Sequence, residues 1–347
     1  MSSVVVVGGG PAGCAFALTA VRAGHDVVLI DEERRRQTWP GEALPAGGKE
    51  LVDSIFGPGL LAGHGIAHGT AAAWGSDQLV ANDFMTHWSG HGWHLDRSRF
   101  DADLRNRVRA AGVDVSVERL TALSGGPGAW RVNERWSAEW VIDASGRTGA
   151  VVGRLGVPLV RFDDQVALIG VVPDRGGERV TTVESTRIGW WYTAPLPGGM
   201  RVAALVTDSD LVEPDRQTMW QMSLAMTRHI AEIVGPGTPH GIGAYPAGSR
   251  HRAQFFGTGW IAVGDTAMAF DPLSGQGLIT GLVMAAHAGH GLNGDLNAWA
   301  QNYQGIFDEH QLARASFYKA EQRWRDEPFW KRRLLDDRRE SLHPGTL

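Results

Sequence analysis

The sequence is poor in several things, and each shortage narrows what it can do. It has one cysteine, Cys14. No intramolecular disulfide is possible, and neither is a cysteine-based zinc or iron–sulfur site. Positive charge is not in excess: 33 Lys and Arg stand against 38 Asp and Glu, a formal charge of −5. That balance does not suggest a nucleic-acid partner. No apolar run approaches the ~20 residues of a membrane span. Val4-Val5-Val6-Val7 is apolar, but Gly8-Gly9-Gly10 stops it, without the basic start and longer apolar stretch of a signal peptide. A cytoplasmic protein with no membrane span is the expectation. Lysine is the scarcest charged residue, with only Lys49, Lys319 and Lys331.

What is abundant is glycine and tryptophan. Glycine is 46 of 347 residues, roughly double the ~7% average, and falls in short clusters that read as tight turns and close backbone approaches. There are 14 tryptophans against 4 tyrosines, some for a pocket and most for core. The length allows two domains or one large one at ~100–200 residues each.

Ser3–Val7 is a continuous β-branched run, as expected of a buried parallel strand. Residues 11–23 read as a helix and 27–30 as a second buried strand. Together they make a βαβ unit, which implies a parallel sheet. Residues 40–95 read as irregular. Residues 99–111 have helical spacing, 113–117 read as a strand, and 130–132 with 136–142 as a hairpin leading to a strand. From 160 to 240 the style changes. Runs at 166–172, 181–184, 189–194 and 201–207 read as strands between Gly/Pro turns, followed by a helix over 217–233. A strand at 260–263, a helix at 278–291 and a charged helical tail complete the chain.

Gly8-Gly9-Gly10-Pro11-Ala12-Gly13 supplies G-x-G-x-x-G between that first strand and helix. Gly8 permits the tight turn, Gly10 lets the backbone approach a pyrophosphate, and Gly13 lets helix and strand pack closely. The helix start offers N–H groups and a positive dipole end. An acid about 20 residues on should hold a ribose hydroxyl, and Asp31 with Glu32 stands at the end of the second strand. The unit reads as a dinucleotide site.

A second glycine cluster selects the cofactor. Trp260-Ile261-Ala262-Val263-Gly264-Asp265 is a strand ending in Gly-Asp, followed by Pro272 and by Gly275-Gln276-Gly277-Leu278 at a helix start. Here the sequence resembles the FAD-dependent monooxygenases with the p-hydroxybenzoate hydroxylase fold. The resemblance implies that Asp265 holds the ribityl chain and that the Gly275–Leu278 segment faces the flavin pyrimidine. Reduced flavin carries negative charge there, and a helix N-terminus stabilises it. The segment 93–101 resembles one in which an arginine reaches FAD. Arg97 is the candidate, and a plain helix cap with surface arginines is the alternative. The implied fold class is α/β: a glutathione-reductase-type FAD-binding Rossmann domain (1–70, 95–158 and 245–295), an inserted β-sheet substrate domain (71–94 and 159–244) and C-terminal helices (296–347).

Asp143-Ala144-Ser145-Gly146-Arg147 interrupts the Asp-Gly motif of the NADPH-using hydroxylases. It resembles instead the halogenase-like branch, whose members often take reduced flavin from a separate reductase. Trp39-Pro40-Gly41-Glu42 points to the same branch, where Gly41 and Glu42 would lie near the isoalloxazine; a turn or capping carboxylate is the alternative for Glu42. Trp190-Trp191-Tyr192-Thr193-Ala194-Pro195 has the frame of the halogenase W-x-W-x-I-P stretch with different residues. The halogenase lysine is missing: the segment where it would fall reads Thr70-Ala71-Ala72-Ala73-Trp74. What remains resembles the flavin monooxygenases that modify tryptophan during maturation of tryptophylquinone enzymes.

That resemblance implies a monooxygenase that hydroxylates an electron-rich aromatic substrate, indole-like, tryptophan-like or phenolic, free or in a peptide. It would use FAD, O2 and a flavin C4a-hydroperoxide. Alternatives are a flavin dehydrogenase or reductase of the geranylgeranyl-reductase kind, and a halogenase. Glu42, Tyr192 and Trp190 are the candidate catalytic residues, with Trp190, Trp191 and Tyr192 as a pocket wall. Strand alternation would send Trp190 and Tyr192 one way and Trp191 the other. The histidines at 64, 68, 87, 91 and 94 lack a helical metal-binding face, so no metal is expected.

Overall fold

A computed structural model describes residues 2–32, 42–84, 90–237, 239 and 241–340, with the side chains of Glu42 and of 335–340 outside that description. The β-branched runs form a six-stranded sheet in the order 256–257, 260–262, 140–143, 3–7, 26–31, 114–117. Its inner pairs are parallel, with Val4 opposite both Val27 and Trp140. Strand order reverses around Ser3–Val7, so the crevice above Val7 is the topological switch point where such sheets bind ligands.

The helices Pro11–Arg22 and Gly277–His290 cover one face of this sheet. They pack closely because small residues face each other. A Cβ on Gly289 would come within 2.3 Å of Thr19 Oγ1. The helix Arg97–Ala110 lies beside them, burying Phe100, Leu104 and Val108, the face expected from their spacing.

The segment 40–95 is more regular than its composition suggests. Its described parts hold strands Glu42–Leu44, Gly65–Ala67, Gly69–Ala73, Val80–Asp83 and Gly92–Leu95, and a helix Gly48–Phe56. The strands are short, and apart from the hairpin of 69–73 with 80–83 they pair with distant segments, so local pattern does not announce them. Gly92–Leu95 joins Glu42–Leu44 and Gly65–Ala67 in a three-stranded sheet. Gly69–Ala73 pairs in parallel with Val180–Thr186.

That pairing builds a seven-stranded sheet in the order 243–246, 165–173, 200–208, 189–196, 180–186, 69–73, 80–83, here called the insert sheet. The expected strands are present, each extended by up to two residues at its ends. Its two faces differ. Trp191, Leu168, Ala203 and Leu205 pack on Met219 and Trp220. Trp190, Val206 and Ala167 pack on Tyr318, Phe329 and Trp330 from the C-terminal helices Leu296–Ala320 and Pro328–Glu340.

The single helix expected over 217–233 is two, Arg216–Leu224 and His229–Val234. The break has a tertiary cause. The buried Glu184 carboxylate, from the neighbouring strand, accepts from the N–H groups of Arg228, His229 and Ile230 at 2.7–3.0 Å, which starts a new helix there. Likewise 136–142 is two strands, Trp136–Ala138 and Trp140–Asp143. No helix among the described residues is long and apolar enough to cross a membrane.

Candidate functional site

The first strand delivers the chain to Gly8, whose φ of +110° belongs to glycine. A Cβ there would lie 2.4 Å from Ala144 O, and one on Gly13 would lie 1.9 Å from Gly8 O. The loop is therefore closed to any side chain at both positions. Gly10 precedes the helix in extended conformation, no side chain caps it, Pro11 opens the helix, and no acid stands in the first turn. This bare, positive helix start suits a pyrophosphate.

Asp31 ends the second strand against this loop, and a Cβ on Gly9 would come within 2.9 Å of its carboxyl. Glu32 turns outward instead and pairs with Arg119 at 3.3 Å. Arg97 is buried and ion-paired with Asp101 at 3.1 Å, within its own helix. The arginine that reaches the loop is Arg105, two turns on. Its Nη1 donates to Gly9 O at 3.2 Å and lies 3.7 Å from Asp31 Oδ2. The spacing 97, 101, 105 puts all three on one helix face, so the signal was present in the sequence. Cys14 is fully buried beside this loop, and burial pushes its thiol far above the ordinary range. It is a packing residue.

The second glycine cluster meets the first. Gly264 has φ +61°, and a Cβ on it would lie 2.8 Å from that of Ala12. This places Asp265 beside the start of the first helix. Its side chain is 46% exposed, with Arg147 Nε 3.6 Å away. Arg250 is pushed down to about 10 by burial and by Arg147. Its Nε is buried with no hydrogen-bond partner, as is Arg105 Nε. Asp143 has no such freedom. One oxygen accepts from Ser145, the other from Val151 N and Val152 N at 2.7 and 2.8 Å, so it is a structural cap where the Asp-Gly motif is interrupted.

The chain then turns at 271–277. Asp271 caps Pro272–Ser274 by accepting from Leu273 N at 2.9 Å. Gly275 is left-handed, and Gln276 precedes the Gly277–His290 helix without capping it. Gly277 and Leu278 form a second uncapped helix start, again with no acid in its first turn. These features fit FAD: two glycine cradles, two bare helix starts and two guanidinium groups with donors to spare. Gly8, Gly10, Pro11, Ala12, Gly13 and Asp31 would hold the adenosine diphosphate side. Asp265, Pro272, Gly275, Gln276, Gly277 and Leu278 would hold the flavin side.

The catalytic candidates separate. Trp39, Pro40 and Gly41 lie outside the described residues. Glu42 opens a strand opposite Leu95, and its side chain also lies outside the description. Trp190 is 1% exposed, and its Nε1 donates to the Tyr318 hydroxyl at 3.0 Å. It packs against Tyr318, Phe329 and Trp330 and presents no open pocket wall. Trp191 turns to the far face, as alternation requires, against Trp220 at 4.7 Å between ring centroids. Tyr192 alone of the three keeps partial exposure. The expected three-ring wall is thus not formed, because the tail covers one ring and the helix pair covers another.

Of the histidines, His87 lies outside the described residues. His91 stacks on Trp93 at 4.7 Å, and His64 Nδ1 accepts from Asp96 N at 3.1 Å. His94 is the one between the sheets. It is 2% exposed, with Nε2 at 3.1 Å from Thr181 Oγ1 and Nδ1 unpartnered. Burial first, then Arg201, Arg179 and His68, push it down to about 4, so it is neutral near pH 7. Thr181 shares a sheet face with Tyr192 by register. The lysines lie elsewhere: Lys49 pairs with Asp53 on the 48–56 helix, and Lys319 and Lys331 are exposed on the C-terminal helices.

Residues 70–343 match the family described as tryptophan halogenase, and residues 2–54 match pyridine nucleotide-disulphide oxidoreductase. The chain is 29% identical to the protein named FAD-dependent oxidoreductase LodB of Marinomonas mediterranea, over 95% of this chain and 96% of that one. Among solved structures, the peptidyl tryptophan dihydroxylase QhpG, essential for tryptophylquinone cofactor biogenesis, is 26% identical, with a TM-score of 0.79 over 95% of this chain and 78% of QhpG. The flavin-dependent halogenase CmlS, 22% identical with a TM-score of 0.83 over 99% of this chain and 70% of CmlS, shares the fold. The chain belongs to the tryptophan halogenase family and is a flavin-dependent oxidoreductase that uses FAD.

Proposed function

We propose that this protein is an FAD-dependent monooxygenase that hydroxylates an electron-rich aromatic ring, foremost an indole such as tryptophan in a peptide. The observation that carries the reading is the placement of lysine. A family member with complete glycine cradles has only three lysines, all on outer helices, and a lysine-free strand at Gly69–Ala73. Without an ammonium group at the insert sheet, nothing is in place to capture an oxidised halide. Similarity to a peptidyl tryptophan dihydroxylase over 95% of the chain supports the same choice.

When bound, FAD supplies the redox and oxygen-transferring chemistry. The protein's part is to hold, orient and dry the site. The glycine loops fix the cofactor through backbone contacts. The insert sheet, with the helix pair 216–224 and 229–234 behind it and the C-terminal helices beside Tyr192 on its own face, supplies a rigid apolar surface that excludes water near Tyr192. Positioning of the ring there is the main catalytic contribution of the chain itself. Neutral His94 and Thr181 offer polar contacts on that face. The division into FAD-binding, insert and C-terminal parts, a separate flavin reductase as electron source, and roles for Glu42 and Tyr192 at the substrate belong to this reading, with Trp190 a buried support of the sheet.

The test supplies pre-reduced FAD and O2 to the protein with indoles, phenols and tryptophan peptides, without halide. Oxygen uptake should track substrate loss, with products gaining oxygen. If all O2 returns as H2O2 with every aromatic, the reading fails and the dehydrogenase or reductase alternative replaces it. The family match itself favours one second reading, halogenation, and bromide-dependent product would establish it.

A further inference from the structure

The Asp271 carboxylate does two things at once. Its Oδ1 caps the turn that leads to Gly275 and to the helix start at Gly277. Its Oδ2 is claimed by the C-terminal helix, from Arg314 Nε at 3.0 Å and the Tyr318 hydroxyl at 2.9 Å. Asp271 is 3% exposed, so no water replaces these donors freely. The flavin-side turn is therefore anchored from the tail, more than 40 residues further along the chain.

Tyr318 and Arg314 each hold a second element. The Tyr318 oxygen accepts from Trp190 Nε1 of the insert sheet at 3.0 Å. Arg314 Nη2 pairs with Asp163 at 2.8 Å, just before the insert strand Gln165–Pro173. The Gln165 amide sits best with its nitrogen 3.1 Å from Asp271 Oδ2 and its oxygen 2.9 Å from Arg333 Nη2. Burial alone would lower the Arg314 guanidinium, but Asp271 and Asp163 hold it above its ordinary range. Burial, then Asp271, pushes the Tyr318 phenol well up, so it stays a neutral donor. Leu273, inside the turn, packs in the same cluster as Trp190, Tyr318 and Trp330.

We propose that Tyr318, together with Arg314, is a positioning residue for FAD: it fixes Asp271 and thereby the uncapped helix start at 275–278. Neither residue needs to touch the cofactor. Their effect travels through one carboxylate and one turn. Because a helix N-terminus stabilises negative charge most within its first turn, a small displacement there weakens the hold on reduced flavin more than on oxidised flavin. The inference rests on FAD lying at this turn and not on the oxygenation reading.

The test is made on the full chain without substrate, so a failed hydroxylation assay does not affect it. Tyr318→Phe removes one hydroxyl and leaves the ring packing. Expected is a roughly tenfold loss of preference for reduced over oxidised FAD. For a two-electron couple this lowers the midpoint potential by ~30 mV. Phe329→Leu disturbs the same cluster without touching Asp271, and should lower thermal stability but leave the potential alone. Arg314→Lys keeps the charge and is the second variant, expected to shift the potential in the same direction by less. A Tyr318→Phe potential equal to wild type, or an equal shift in Phe329→Leu, would overturn the proposal.

Discussion

At the C-terminal ends of the six-stranded sheet the loops are shaped by close backbone packing; across from them, the insert sheet is held by buried side chains. In those loops, Gly8, Gly13 and Gly264 matter because nothing larger fits. Over the insert sheet, Trp190, Tyr318, Asp271 and Arg314 matter because their hydrogen bonds to one another join segments far apart in the chain. Close backbone packing needs a fixed local spacing and leaves a motif. Side-chain pairing needs only that the partners meet, and leaves almost none.

The contrast can be broken most severely at Gly13. Gly13→Ala drives a methyl into Gly8 O and should cost about 4 kcal/mol of FAD binding, ~1000-fold in affinity, read by flavin fluorescence titration. Near wild-type affinity would mean that the loop is not a rigid cradle. Trp191→Ala attacks the other region, emptying the contact with Trp220 on the face away from the tail. It should lose ~3–5 kcal/mol of stability in urea melts, while the folded fraction keeps its FAD affinity. Loss of FAD affinity there would erase the separation of the two regions.

His94 links the stability of the insert side to pH. The folded imidazole is neutral down to about 4, whereas the unfolded one takes a proton near 6.5. Between those values the unfolded state binds more protons, so stability is full above pH 6.5 and falls as pH drops toward 4. The loss reaches about 3 kcal/mol from this group. Urea melts of wild type and His94→Asn across that window should differ in slope; parallel curves would show His94 charged or exposed in the fold. The smallest effect is at Asp265, half-exposed and 3.6 Å from Arg147. Asp265→Asn should weaken FAD by ~10-fold, about 1.4 kcal/mol. No change would remove it from the cofactor site.

The same division explains what the sequence made legible. The βαβ unit, the insert strands and both glycine clusters follow from runs and spacings within a few residues. The strands between 42 and 95 did not, because Ala43 finds its partner at His94 and Thr70 at Thr181. The break in the 217–233 helix was hidden for the same reason: its cause, Glu184, lies on another strand. Tryptophan content suggested a pocket, but composition does not say which rings the tail will cover. Arg105 was readable from helical spacing, whereas Tyr318 and Arg314 acquire meaning only once Asp271 is seen between them.

Oxygen rather than halogen on the aromatic ring is the outcome proposed for this family member. The direct measurement is mass spectrometry of a tryptophan peptide after incubation with the protein, reduced FAD and ¹⁸O2, with bromide present. The expected product carries ¹⁸O and no bromine. A brominated product, or unmodified peptide with all oxygen recovered as H2O2, would contradict the proposal.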